Sequence, residues 1–341
     1  MTTPPYLRKG DKIGIVAPAR WVKPEETEAA LKVFESWGLM VVRGENLYEQ
    51  HHQFAGTDEQ RTADMQAMLD NESIRAIICA RGGYGTVRLL DRLDFSKFAA
   101  KPKWVVGYSD ITALHSHIQS QYEIETLHAV MPYAYSQESD CAASWESLRK
   151  ALFGEDLVYE TRPGMFSRKG QAKAVLTGGN LSMLYSISGS VSETNTNGKI
   201  LFIEDLDEYL YHIDRMMQQL KRSGKLAGLS GLIIGGMGKM RDNQIPFGKT
   251  AQEIISETVQ DYRYPVLFDF PAGHDPLNLS LILGREVSLE VGEKATLAFL
   301  QVEQGGIRKM LRKSVFRLLG FTFLLFAAIY LFYYLAIKLL L

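Results

Sequence analysis

Apolar positions along this chain recur in two spacings, and the N-terminal third alternates between them. Residues 12–19, Lys-Ile-Gly-Ile-Val-Ala-Pro-Ala, are a near-continuous apolar run closed by proline, the pattern of a buried parallel strand. Pro24 opens a helical stretch, 24–37, with Ala30, Phe34 and Trp37 at helical spacing and Gly38 as its stop. Residues 39–42 predict a second strand. A second helix, 57–70, begins at Thr57 or Asp58 and carries Met65, Met68 and Leu69 as its apolar face. The third strand, 74–80, runs into Arg81-Gly82-Gly83-Tyr84-Gly85, and a helix is expected from there through Leu90. The fourth, 103–107, stops at Gly107. A helix then starts near Ile111, with Ala113, Leu114, His117 and Ile118 on one side. Strands alternating with helices predict an α/β fold with a doubly wound parallel sheet, whose ligands sit beyond the carboxyl ends of the strands.

The pattern changes after residue 135. Polar, irregular sequence over 136–170 reads as a linker between an N-terminal domain, 1–135, and a second domain, 171–304. In that second domain, strands are expected at 172–176 and 199–204, separated by Thr177-Gly178-Gly179-Asn180 and a short helical stretch. Residues 209–223 form an amphipathic helix with Ile213, Met216, Met217 and Leu220 on its apolar side. A strand at 231–235, a helix at 250–261 and a strand at 266–270 follow, and 279–283 with 287–300 read as a closing pair of strands. The expectation is a β-rich mixed α/β domain.

Composition sets bounds without choosing a chemistry. The 341 residues suffice for two domains, 46% are hydrophobic and 23% charged, and a formal net charge of −1 offers no basic field for nucleic acid. Cys79 and Cys141 form no C-x-x-C and fit a reducing compartment. The first ten residues hold no apolar core of a secretory signal. At the other end, 318–337 is an uncharged run of about 20 residues, roughly the length a bilayer core requires. Arg308, Lys309, Arg312, Lys313 and Arg317 precede it, so 305–341 is expected to be a transmembrane tail anchor, with the main body on the cytoplasmic side of the membrane.

Candidate chemistry gathers at strand ends. In Gly107-Tyr108-Ser109-Asp110-Ile111-Thr112 a serine stands between a strand end and a helix start, the setting of a nucleophile elbow with backbone N–H groups nearby. The G-x-S-x-G match is partial, because Ile111 replaces the second glycine, and Ser109 or Asp110 could equally be a simple helix cap. His51-His52 lies in a polar loop, and His115 and His117, two apart on a helix, point away from each other and share no metal. No H-E-x-x-H occurs. His274, after Pro271-Ala272-Gly273, stands at a strand end. The carboxylates cluster in Glu204-Asp205-Leu206-Asp207-Glu208, directly after the apolar run 200–203. That cluster reads as a charged turn or, alternatively, as a site where Glu204 (with Asp205 as second choice) orients an imidazole. Gly82-Gly83 is no dinucleotide fingerprint, and Gly235-Gly236-Met237-Gly238-Lys239 is no P-loop. Gly82 and Gly83 suit close backbone approach to a substrate carbonyl.

Taken together, Arg81-Gly82-Gly83-Tyr84-Gly85, Gly107-Tyr108-Ser109-Asp110-Ile111-Thr112, Leu176-Thr177-Gly178-Gly179-Asn180-Leu181, Glu204-Asp205, Tyr211-His212-Ile213-Asp214-Arg215-Met216 and Gly273-His274 resemble the LD-carboxypeptidases. These are the muramoyltetrapeptide carboxypeptidases, with microcin C immunity hydrolases as a branch. The resemblance spans about residues 6 to 302. It implies a flavodoxin-like three-layer N-terminal domain carrying the serine, and a β-rich C-terminal domain carrying Glu and His. It further implies Ser109 as nucleophile, His274 as general base, Glu204 as its orienter, and backbone N–H groups of Asp110 and of Gly82 or Gly83 as the oxyanion hole. The implied activity is release of C-terminal D-alanine from a murein peptide, with no metal and no cofactor. Arg81 is the candidate for the terminal carboxylate, against a purely structural ion pair. Two other readings stand beside it: hydrolysis of a peptidyl- or aminoacyl-nucleotide, as in the immunity branch, and non-catalytic binding of a small ligand by a membrane-tethered protein. The expected partners are the peptide, the membrane through residues 318–337 and, as an option, a second copy of the chain.

Overall fold

Short runs rich in Ile and Val build the first sheet of the computed structural model, which describes residues 1–137 and 142–301. Strand β1 (Lys12–Val16), helix α1 (Pro24–Ser36), β2 (Met40–Arg43), α2 (Asp58–Asp70), β3 (Ile74–Cys79), α3 (Ser96–Ala100), β4 (Trp104–Gly107), α4 (Thr112–Tyr122) and β5 (Thr126–His128) follow in order. The five strands lie as β2-β1-β3-β4-β5, all parallel, so every return crosses a sheet face through helical chain. The two-residue period of the strands sorts their side chains onto both faces. Ile13, Ile15, Ile78 and Val106 pack in one apolar cluster with Phe34 of α1; Val16, Ile77 and Val105 pack in another with Met65 of α2 and Leu114 of α4. Each such side chain, fully buried, stabilises the fold by about 1.5–3 kcal/mol.

The chain continues through α5 (Pro132–Gln137), α6 (Ala142–Phe153), β6 (Val158–Thr161), β7 (Gly170–Asn180), α7 (Leu181–Ser186), β8 (Ile200–Leu206), α8 (Leu210–Arg222), β9 (Gly231–Gly238), α9 (Ala251–Thr258), β10 (Val266–Leu267), β11 (Leu281–Leu283), β12 (Glu286–Val291) and β13 (Ala295–Phe299). The second sheet has the order β10-β9-β8-β7-β12-β13-β6. Its first four strands are parallel and the rest antiparallel, so it is mixed. Helix α8 covers it with Ile213, Met216, Met217 and Leu220, the stripe expected from spacing.

Three expectations change here. The stretch after Gly85 forms two tight 3₁₀ turns, Thr86–Arg88 and Leu90–Arg92, instead of a helix, and the Thr86 N–H donates to the Asp110 carboxylate at 2.8 Å. The stretch 136–170, read as a linker, holds α6 and β6. An apolar stripe of Trp145, Leu148 and Leu152 recurs inside its polar sequence and is buried against the first sheet's cluster, with Trp145 edge-on to Phe34. Finally, 279–283 does not close the second sheet. Strand β11 pairs antiparallel with β5 in the first, and the closing hairpin is β12 with β13 alone. A buried bidentate pair, Arg285 with Glu125 at 2.7 and 2.6 Å, pins that crossing. The apolar run 318–337 lies outside the described residues; among the described residues no helix is long and apolar enough to cross a membrane.

Candidate active site

Strand β4 is buried along its whole length and delivers Ser109 at its carboxyl end. Ser109 has φ of 63°, a left-handed conformation that a residue with a Cβ adopts only at a cost of about 1–2 kcal/mol. It starts a 3₁₀ turn, Ser109–Ile111, which leads straight into α4. The serine is thus held strained between strand and helix, and no side-chain capping bond starts this turn or α4. Ile111, where the G-x-S-x-G pattern has glycine, is fully buried and belongs to the core behind the turn. His115, one turn along α4, hydrogen-bonds the Gly107 carbonyl at 2.8 Å through Nε2. Burial lowers its pKa to about 4, so the imidazole is neutral and donates that proton.

Gly82 presses against Ser109. A Cβ on Gly82 would fall 3.0 Å from the Ser109 Cβ, 3.2 Å from its Oγ and 3.5 Å from the Asp110 nitrogen. Only a glycine brings a backbone so close to that hydroxyl. The Asp110 carboxyl turns away, into the interior, where burial raises its pKa despite the bond from Thr86.

Glu204, at the end of β8, is fully buried, and its Oε2 accepts a hydrogen bond from His274 Nδ1 at 2.6 Å. His274 reaches it because Gly273 has φ of 117° and no Cβ; a Cβ there would sit 2.8 Å from Glu204 Oε2. The loop that carries both is held from the supposed linker. Asn278 Oδ1 accepts from the Gly273 N–H at 2.9 Å, and the N–H groups of Asn278 and Ser280 donate to Ser144 and Ser147 of α6 at 2.9 Å. Burial alone would lower the pKa of His274. The Glu204 carboxylate, by charge and hydrogen bond, outweighs it and holds the imidazole above its ordinary value.

Asp205, the second choice beside Glu204, faces the other way, as the next residue on a strand must. Its oxygens accept from Asn180 Nδ2 at 3.0 Å, the Ser182 N–H at 2.9 Å, the Ser182 hydroxyl and its neighbour Leu206 N–H. Burial and the charge of Glu204 raise its pKa to about 6. Asp205 therefore organises the start of α7 and does not touch His274's hydrogen-bonding nitrogen.

Ser109 and His274 line one open cavity of about 400 Å³. Gly82, Gly83, Asp110 and Arg81 line it too, so every residue singled out from the sequence except the buried Glu204 meets there. Arg81 is not free to swing: its guanidinium lies 3.7 Å over the Tyr133 ring and donates to the Trp21 carbonyl at 3.1 Å. Burial lowers its pKa from the ordinary guanidinium range. Arg20, Tyr108, Asn180, Ser182 and Glu208 also line the cavity and were not foreseen. Tyr108 had a signal, since it precedes Ser109, and Glu208 had one as the last member of the carboxylate cluster 204–208; Arg20 had none. The other histidines stay apart from the cavity. His117 pairs with Ser192 at 2.8 Å, and His128, wholly buried between Tyr108 and Phe202, is kept neutral by burial.

The LD-carboxypeptidase N-terminal domain matches residues 13–129 and the LD-carboxypeptidase C-terminal domain matches residues 173–289. The "Probable murein peptide carboxypeptidase" of Bacillus subtilis strain 168 is 35% identical over 312 residues, 89% of this chain and 97% of its own length. The crystal structure of muramoyltetrapeptide carboxypeptidase from Oxalobacter formigenes superposes with a TM-score of 0.77 at 26% identity, covering 84% of this chain and 98% of that one. The microcin C7 self-immunity protein MccF, in complex with aspartyl sulfamoyl adenosine, reaches 0.79 at 22% identity over 87% and 98% of the two chains, a likeness of fold.

Proposed function

This chain belongs to the LD-carboxypeptidase family, and from that premise we propose that it is a serine carboxypeptidase releasing the C-terminal D-alanine of a murein tetrapeptide by hydrolysing the L,D bond. What carries the reading is the bond of His274 to buried Glu204 on the wall of the cavity that Ser109 also lines. With Nδ1–H committed to Glu204, Nε2 is left as the proton acceptor. In this reading Ser109 Oγ attacks the scissile carbonyl and gives its proton to His274. Backbone N–H groups of Asp110 and of Gly82 or Gly83 receive the oxyanion. The imidazolium returns the proton to the leaving amine of D-alanine, and water, deprotonated by the same histidine, hydrolyses the acyl-serine. Arg81, pinned but cationic, offers a guanidinium to the terminal carboxylate. The substrate class rests on the names of the relatives, murein peptide in one and muramoyltetrapeptide in the other.

The test is mass spectrometry of a murein tetrapeptide incubated with the full chain, beside an aminoacyl sulfamoyl nucleotide. The expected result is loss of one alanine from the tetrapeptide and far slower turnover of the nucleotide. The reverse order would assign the immunity type of reaction, and turnover of neither would leave a binding protein. A smaller prediction concerns the glycine beside the nucleophile. Gly82→Ala places a methyl 3.0 Å from the Ser109 Cβ and displaces the backbone at the oxyanion position. D-alanine release is expected to fall about 10²-fold, the scale of losing one oxyanion donor. Unchanged kcat/KM would place that donor elsewhere.

A further inference from the structure

The cavity is lined by charges of both signs. The loops that follow β1 and β3 contribute Arg20 and Arg81, and the end of β8 with the residues just after it contributes Asp205, Asp207 and Glu208. Two of these three carboxylates are already satisfied. Asp205 takes four donors from Asn180, Ser182 and Leu206, and Asp207 is held by both sides of the Arg241 guanidinium. Glu208 differs. Its Oε2 accepts from His212 Nδ1 at 2.6 Å, no Lys or Arg pairs with it among the described residues, and its side chain is 25% exposed in the cavity wall. A carboxylate in a half-buried wall, with one oxygen uncommitted, is a receptor for a cationic group.

Taking the carboxypeptidase reading as its basis, we infer that Glu208 binds an ammonium group on the side chain of the residue that precedes the scissile bond. Arg20 and Arg81 suit the carboxylate of the leaving residue, which leaves the carboxylate-bearing part of the lining, with Glu208, to the acyl side of the substrate. His212 fixes the carboxylate from behind and is in turn packed edge-on against Tyr185, so the receptor is pre-oriented. The specificity this site supplies is for a diamino acid over an uncharged residue of the same length.

The experiment compares kcat/KM for D-alanine release from two murein-type tetrapeptides, one with L-lysine before the D-alanine and one with norleucine there. The full-length chain and its Glu208→Gln and Glu208→Lys variants are assayed on both. A glutamine carbonyl still accepts from His212, so the wall keeps its shape while its charge is removed. The expected preference of the unsubstituted protein for the lysine peptide is about 10- to 100-fold, the scale of one hydrogen bond to a charged group. It collapses to about one in Glu208→Gln and inverts in Glu208→Lys. A preference that survives in Glu208→Gln, or equal turnover of both peptides by the unsubstituted protein, overturns the inference and leaves the carboxypeptidase reading standing. Release of D-alanine from neither peptide overturns both.

Discussion

Ser109→Ala is expected to lower kcat/KM for D-alanine release by about 10⁴- to 10⁶-fold, the scale on which removal of a serine nucleophile stops acyl transfer. The residual rate would come from the oxyanion site and binding, which the substitution leaves in place. Stability is not the route of the loss. The φ of 63° at this position strains alanine no more than serine, and the Oγ makes no hydrogen bond among the described residues that the fold would miss. The change in unfolding free energy is therefore expected to stay within that of an ordinary surface substitution, about 0.5 kcal/mol, read as a nearly unchanged Tm. A Ser109→Ala protein that is folded and retains wild-type turnover would move the nucleophile to another residue.

Glu204→Gln is expected to cost about 10³- to 10⁴-fold, with a change in the pH profile that a packing defect would not produce. The substitution keeps the volume of a fully buried side chain and removes its charge. A base works as neutral imidazole, so kcat/KM rises with pH through the pKa of His274 in the free enzyme. Burial pulls that pKa down and Glu204 pulls it up, with the upward pull prevailing, so the acid limb has its midpoint above the ordinary 6.5. In Glu204→Gln burial acts with far less opposition, and the midpoint moves to lower pH. The same linkage has a stability side. A histidine raised in the folded state stabilises the fold below its unfolded pKa, and that contribution fades as pH rises through the folded one. Glu204→Gln should thus lose more stability in mildly acidic than in alkaline buffer, measured as Tm against pH.

The parallel half of the fold was legible because its physics is local. Residues 12–19, 74–80 and 103–107 are apolar runs that suit a strand buried on both faces, and proline and glycine mark where each helix begins or stops. Strand β5 was not legible: Thr126-Leu127-His128 is short and half polar, and becomes a strand only by lying beside β4. Helix α6 hid in polar sequence because four apolar side chains, Trp145, Leu148, Leu152 and the small Ala151, suffice once Phe34 and the first sheet receive them. Strand β11 looked like a neighbour of β12 in sequence, and its pairing with β5 depends on a chain reversal that no local pattern encodes.

The site divides in the same way. Ser109 and His274 stand just beyond predicted strands and Glu204 at the end of one. Strands β8 and β10 share the second sheet, so strand ends account for Glu204 and His274 together. Ser109 follows β4 of the first sheet and meets them through tertiary packing. Glu204 was preferred to Asp205 because it comes first after the apolar run, and the family resemblance points to the same residue; their contacts then separate them, one toward His274 and one toward Asn180 and Ser182. The seat of Arg81 on Tyr133 and the place of Arg20 in the cavity wall depend on tertiary packing alone. So does the support that Ser144 and Ser147 of α6 lend to the histidine loop.

A fluorophosphonate reports on the central assignment without reference to any substrate, because the attacking oxygen displaces fluoride and keeps the phosphonyl group. Tandem mass spectrometry of the labelled full-length protein is expected to find one adduct, on Ser109, formed far more slowly in His274→Ala. An adduct on another side chain, or none from a preparation that releases D-alanine, would contradict it.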